Sequence, residues 1–356
     1  MGVAIKKGAD IAEVLHIFLL RQVMAVRVLW LNKFDFSGNT EAVMAWARGV
    51  VHKGLKLHLV LTGIPPSLLE LYKKFINKSG LQSSLNINWQ QVQNLLYYHR
   101  FDLLHVFHPD LFRMAADLSN SFQIPWVASV FDGEHHDDFT FLYTAAYITC
   151  CNSSSFLAIK DFFYPYVKQN ILIIPQGVTI KPSSFPPLTK MNILYVGPLG
   201  KKQVAPFQAL KHAVKDLKSS SLGVVSRYNV SPGNVTFYSW RPDFNVIIGR
   251  YNVIAGFGYY LLQGIAAGKI ALILEEKYAG IFLPLQREQV PDFRAKAQAG
   301  KDADPSAYKL IIQDIQALGK QLPAAQKLQQ ENWSYARENH DLEIIAEKIV
   351  RLYDRL

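Results

Sequence analysis

The sequence predicts an α/β protein made of two doubly wound parallel sheets, one in each half of the chain. Three observations carry that prediction. Short apolar runs alternate with helical patterns from Ala25 onward, which is the rhythm of parallel strands joined by crossover helices. The rhythm breaks once, at Lys181-Pro182-Ser183-Ser184-Phe185-Pro186-Pro187, where three prolines fall within six residues. It then restarts, and both halves open with a strand, a glycine loop and a helix. A chain of 356 residues is also long for a single core, and two domains are expected.

In the first half, Ala25–Leu31 reads as a strand, Asn39–Lys53 as a helix and Lys56–Thr62 as a second strand. The loop NKFDFSGN between the first strand and helix carries Gly38 at the helix entrance, with Asn39 or Thr40 available as a simple cap. Loops at the carboxyl ends of parallel strands are where such sheets bind ligands. Further strands are expected at Leu103–Phe107, Trp126–Phe131, Ala146–Cys150 and Ile171–Ile174. His108-Pro109-Asp110 follows the first of these and Asp132-Gly133-Glu134-His135-His136-Asp137-Asp138 the second. The latter is a polar surface loop, a set of metal-ligand types, or a source of acid–base chemistry from His135 or His136.

The second half starts with the strand Met191–Val196 and the loop Gly197-Pro198-Leu199-Gly200-Lys201-Lys202 before a helix from Pro206 to Leu217. Strand-like segments at Leu222–Ser226, Val235–Tyr238, Val246–Gly249 and Asn252–Ile254 lead to AGFGYYLLQGIAAG, Ala255–Gly268. There Gly256 and Gly258 open a helix with Leu261, Leu262, Ile265 and Ala266 on its apolar positions, and Lys269–Leu274 reads as a buried strand. A helix N-terminus free of bulky side chains presents unpaired N–H groups and the positive end of the helix dipole, which suits a diphosphate. The same glycines would also serve a turn that packs a helix closely on a sheet. The tail, Asp304–Leu318 and Gln326–Leu356, reads as helical, with Leu342, Ile345, Ile349 and Leu352 on one face.

Composition narrows the partners. Half the residues are hydrophobic and 19% are charged, which excludes a disordered chain. Lys and Arg number 38 against 28 Asp and Glu, a net charge of +10 that favours an anionic partner such as nucleotide phosphates or a lipid surface. No basic run is interleaved with aromatics and no zinc spacing occurs, so no nucleic-acid partner is expected. The adjacent Cys150 and Cys151 in an apolar run read as buried thiols and fit a reducing cytoplasm. The apolar patch Ile11–Leu20 is too short to span a membrane and is interrupted by Glu13 and His16; Met24 is a second candidate start.

Taken in order, the first-strand loop ending in SGN, FDLLHVFHPD, IPWVASVFDGE, AAYITCCNSSS, ILIIPQGV, NILYVGPLGKK, AGFGYYLLQGIAAGKIALI and ENWSYARENHDLEIIAEKIVRLYDRL resemble the family 4 (group 1) glycosyltransferases of the GT-B fold. The resemblance runs from Met24 to Leu356. It implies two Rossmann-like domains facing each other across a cleft, with a sugar nucleotide held mostly against the second. The implied divisions are an N-terminal extension at 1–23, an acceptor domain at 24–180, a linker at 181–190, a nucleotide-sugar domain at 191–335 and a final helix at 336–356 that crosses back to the first domain. The implied function is transfer of a sugar, with retention, from a nucleotide-diphosphate sugar to a glycan, lipid or other acceptor. No covalently bound cofactor and no metal are expected.

The resemblance also assigns roles. Gly38, Lys201, Lys202, Gly256, Phe257, Gly258 and Gln263 fall on the nucleotide-sugar site, and His108, His135 and His136 are the available catalytic imidazoles. Ala255 and Gln263 stand where the family carries two glutamates eight positions apart; Phe131 stands on its first-domain histidine and Pro198 on its second-domain arginine. These four replacements imply an alternative, a catalytically inactive GT-B protein that binds ligand or partners another transferase. The basic surplus fits peripheral association with the inner face of a membrane.

Overall fold

The computed structural model describes residues 26–132, 137–164, 170–181, 190–217, 220–227, 235–284 and 306–356, with Phe185 and Leu188. The first strand, β1 (Arg27–Lys33), places Val28 and Trp30 on one face and Leu29 and Leu31 on the other, all without solvent exposure. A strand apolar on both faces belongs at the centre of a covered parallel sheet. It is flanked by β2 (Lys56–Thr62) and β4 (Leu103–Val106), and the full order is β3-β2-β1-β4-β5-β6-β7, with every neighbouring pair parallel. The remaining strands are β3 (Gln82–Leu85), β5 (Trp126–Val130), β6 (Tyr147–Cys150) and β7 (Asn170–Ile173). Helices α1 (Asn39–His52), α2 (Pro66–Lys78), α3 (Trp89–Tyr98), α4 (Phe112–Phe122) and α5 (Ser153–Phe163) belong to this half.

The second sheet repeats the plan. Strands β8 (Asn192–Val196), β9 (Ser221–Ser226), β10 (Val235–Ser239), β11 (Val253–Gly256), β12 (Ile270–Leu274) and β13 (Tyr278–Ile281) lie in the order β10-β9-β8-β11-β12-β13. Only the edge strand β13 runs antiparallel to its neighbour among these described strands. Its helices are α6 (Lys201–Asp216), the short α7 (Asn245–Ile248), α8 (Gly258–Ala266), α9 (Ser306–Lys320), α10 (Leu322–Asn339) and α11 (Leu342–Tyr353). The strand order reverses between β1 and β4 and again between β8 and β11, and crevices at such reversals are where open α/β sheets take ligands.

Two apolar clusters cover the outer faces: one joins Leu31, Trp126 and Phe112, the other Tyr195, Phe207 and Ile311. A third is shared by the two halves, joining Trp30, Trp46 and Leu59 to Leu194, Ile254, Leu261 and Ile273. The last helix adds to it. A Cβ built on Gly49 would lie 3.0 Å from the Ala346 Cβ, and one on Gly177 would lie 3.0 Å from the Ile345 Cβ, so two glycines let α11 lie close on α1 and on the 174–178 segment. Beyond them the Tyr353 hydroxyl is hydrogen-bonded to His105 Nδ1, His105 Nε2 to Ser129 Oγ (2.7 Å) and Ser129 Oγ to Thr149 Oγ1 (2.6 Å). Burial holds His105 well below the ordinary imidazole range, so it is neutral in this chain of bonds.

Four local expectations are corrected. The second-half helix starts at Lys201, with Pro206 inside it, so Lys201 and Lys202 are helical residues rather than loop. Val246–Gly249 is not strand-like: Asn245–Ile248 is a turn of helix, its apolar residues serving the shared cluster through Ile247 and Ile248. The tail after Gln326 is not one helix. It breaks at His340, where the backbone bonds Val178 N→His340 O (2.8 Å) and Leu342 N→Val178 O (3.1 Å) replace helical ones. Neither Asn39 nor Thr40 caps α1; Gly38 occupies the N-cap at φ 96°, and Thr40 Oγ1 accepts from the Asp35 N–H (3.0 Å). Cys150 and Cys151 are free and buried as expected, and burial pushes the Cys150 thiol up to about 12.

Candidate functional site

The two points of strand-order reversal meet. On the first-domain side, the loop after β1 ties itself together: the Asp35 carboxylate accepts from the Ser37 N–H (3.0 Å), the Ser37 hydroxyl (2.7 Å) and the Asn39 amide (3.3 Å). Burial raises the Asp35 pKa against these bonds. The turn ends at Gly38, whose left-handed backbone most side chains avoid. His108 caps the short 3-10 turn Pro109–Leu111, with Nδ1 3.2 Å from the Asp110 N–H. Its imidazole lowers the Asp35 pKa against the larger effect of burial, and Lys33 pairs with Asp110 on the same rim.

On the second-domain side, β11 runs into α8 with only Phe257 between them, and no side chain caps the helix. A Cβ on Gly256 would sit 2.4 Å from the Val196 carbonyl oxygen of β8, so this position admits only glycine without backbone movement. Ala255 is a strand residue of the outer core, fully buried between β8 and β12, and its side chain faces away from the first sheet. The sequence aligns it with a motif glutamate; the fold gives that position no access to the crevice. Phe131 and Pro198 are also structural: Phe131 packs on Trp46 at 5.6 Å between ring centroids, and the Pro198 carbonyl accepts from Tyr195.

The glycines expected to hold a nucleotide are brought together. A Cβ on Gly38 would lie 3.1 Å from both Tyr259 Cβ and Tyr260 Cζ, and one on Gly258 would lie 3.4 Å from the Ser37 carbonyl oxygen. Phe257 is buried beside Gly197, whose Cβ position is 3.2 Å from its ring. One turn along α8, Gln263 lies against the Tyr259 hydroxyl, and its Oε1 is buried with no hydrogen-bond partner. Such an acceptor is rare in a folded protein and marks a place where a donor fits. Lys201 and Lys202 are exposed at the start of α6, with Lys202 Nζ 3.1 Å from Glu276 Oε1. His135 and His136 lie outside the described residues.

Six residues around this junction escaped the sequence reading as a group. Glu41, in the first turn of α1, is 2% exposed; it accepts hydrogen bonds from the Tyr72 hydroxyl and, at 3.1 Å, from the Tyr260 hydroxyl. The Tyr260 hydroxyl also lies 3.4 Å from the Phe36 carbonyl oxygen, and the Trp240 indole N–H donates to the Tyr72 oxygen at 3.4 Å. Phe36, Trp240, Phe244 and Tyr260 pack edge to face with centroids 5.2–5.9 Å apart. Desolvation raises the Glu41 pKa to about 7 despite these bonds. Beside this cluster a cavity of about 200 Å³ is lined by Phe36, Ser67 and Leu68 from one half and Arg227, Ser239 and Trp240 from the other.

The chain matches no protein-family model and no curated protein sequence. Solved structures do match. HepE of Anabaena, solved with UDP and glucose, superposes with a TM-score of 0.67 at 11% identity, over 93% of this chain and 100% of that one. A glycosyltransferase of Rickettsia africae gives 0.65 at 13% identity, over 93% and 98%. TarM of S. aureus, solved with fondaparinux, α-GlcNAc-glycerol and UDP, gives 0.67 at 9% identity, over 93% and 100%. The chain therefore has the GT-B fold of glycosyltransferases.

Proposed function

We propose that this protein is a glycosyltransferase that takes a nucleotide-diphosphate sugar between its sheets and transfers the sugar, with retention, to a glycan, lipid-linked or other acceptor. The observation that carries the reading is the meeting of the two strand-order reversals, with the glycine-opened N-terminus of α8 facing the Gly38 turn. A leaving diphosphate needs fixed positive potential that requires no reorganisation, and the uncapped N–H groups of α8 supply it. Lys201 or Lys202 adds a mobile cation from the first turn of the neighbouring α6. The orphan Gln263 Oε1 suits a ribose hydroxyl, which can donate to it. On the acceptor side we assign proton exchange to His108, whose imidazole acts on Asp35. No metal has a role in this scheme. The UDP and UDP-glucose bound in the HepE structures make uridine diphosphate sugars the first donors to try.

Sugar release from a panel of UDP and GDP sugars tests the reading. Turnover with one of them is expected, and Lys201→Ala combined with Lys202→Ala is expected to weaken donor binding at least about tenfold, the worth of one charge-assisted hydrogen bond. Absence of turnover and of any thermal shift with every donor overturns it. One observation favours a second reading, a silent GT-B subunit that partners another transferase: Tyr259 and Tyr260 fill the space against Gly38 where a diphosphate would sit. The reading places the protein in the cytoplasm, at the inner face of a membrane when its acceptor is lipid-linked. No described helix is long and apolar enough to cross a membrane.

A further inference from the structure

We propose that Glu41, Tyr72 and Tyr260 form a gate that holds the two halves shut over the donor seat, so that a nucleotide reaches the α8 N-terminus only after the carboxyl–phenol contact parts. The proposal rests on the reading of that seat given above, and it adds a device that controls access to it.

Four observations support the gate. The first is position. Tyr260 is the third residue of the helix whose N-terminus forms the seat, and its hydroxyl bonds to residues of the opposite half, the Glu41 carboxyl and the Phe36 carbonyl. The second is closure of the polar valences. Each Glu41 oxygen receives one phenol O–H, and the Tyr72 oxygen receives the Trp240 indole N–H. One phenol from each half thus meets on a single carboxyl, and the Trp240–Tyr72 bond is a second polar contact between the halves. The third is desolvation: Glu41 is 2% exposed, Tyr72 is fully buried and Tyr260 is 1% exposed, so these bonds compete with no water. The fourth is a route. Phe36 and Trp240 belong both to the aromatic jacket around Tyr260 and to the wall of the neighbouring cavity, so parting the jacket joins that cavity to the seat.

The groups that face Glu41 are Tyr72 from α2, Tyr259 and Tyr260 from α8 and Asp35 from the β1 loop. None of these is cationic, so the carboxyl is held by hydrogen bonds rather than by an ion pair. A gate of this kind releases when a diphosphate binds the α8 N–H groups of the open form more tightly than those of the closed form, which shifts the population toward the open form.

The test uses the full chain and two conservative variants, Tyr260→Phe and Glu41→Gln, each checked for native circular dichroism. Small-angle X-ray scattering reads closure, and calorimetric titration with UDP reads the seat. Both variants are expected to show a larger radius of gyration than the unmodified protein and to bind UDP about tenfold more tightly, because the fraction of open molecules rises. An unchanged radius of gyration in both variants overturns the gate, whatever the affinity. A larger radius with no UDP binding in any of the three proteins leaves the gate standing and removes the donor-seat reading instead.

Discussion

Gly256 and Gly258 stand two positions apart, yet the fold asks different things of them. The missing Cβ of Gly256 is required by the Val196 carbonyl 2.4 Å away, a backbone atom that cannot turn aside. Gly258 is required by its φ of 56° and has an ordinary contact at 3.4 Å. Gly256→Ala is therefore expected to cost about 2–3 kcal/mol through displacement of β8 or β11, and Gly258→Ala about 1 kcal/mol from left-handed backbone alone. Urea unfolding of both variants checks the ranking. Glu41 provides a pH signature. Its carboxyl is raised from 4.5 to about 7, so the folded state holds a proton that the unfolded chain releases earlier. Stability from this group is complete below pH 4.5 and is lost as pH rises to about 7, up to about 3 kcal/mol. Thermal unfolding across this range should show that fall and Glu41→Gln should flatten it. The glycines were legible because an absent side chain at a helix start has few explanations. Glu41 was not, since an acid in the first turn of a helix reads as a dipole partner, and its phenol partners lie 31 and 219 positions away in sequence.

At the level of elements, most strands stand within two residues of their apolar runs, because a buried parallel strand is a short continuous hydrophobic stretch. The tail was misread because its break is set by distant partners. The break between α10 and α11 has no glycine or proline to announce it; His340 makes it, with its Nδ1 2.8 Å from the Gln176 carbonyl and its backbone paired to Val178. Burial lowers the His340 pKa to about 4, so the neutral ring is part of the junction. The stability it contributes is complete above about pH 6.5 and is lost as pH falls through about 4, the opposite sense to Glu41. Protection factors at the Val178 and Leu342 amides, corrected for the slower intrinsic exchange in acid, should fall on acidification, and His340→Gln, which keeps a donor for Gln176, should remove most of that dependence. The start of α6 was misplaced for the opposite reason, since Pro206 reads as a helix start and is instead tolerated in the second turn.

For the whole molecule, the two-sheet plan was readable from the proline-rich break and the restarted strand rhythm, and the superposition on HepE and TarM bears it out. The state of the crevice was not readable. Phe36, Tyr260 and the pair Trp240 and Phe244 come from three segments far apart in sequence, and nothing in their spacing says that the three meet. Their meeting turns a pair of glycine loops that suit a diphosphate into a closed junction, which is why donor binding and domain separation are expected to be linked. The most direct measurement is hydrogen exchange of the full chain with and without saturating UDP or GDP sugars. The account predicts new protection of the amides of Gly258–Leu262 together with the 35–41 turn, the two sides of the proposed seat. Exchange unchanged by every nucleotide sugar, or protection confined to residues away from both reversals of strand order, would contradict it.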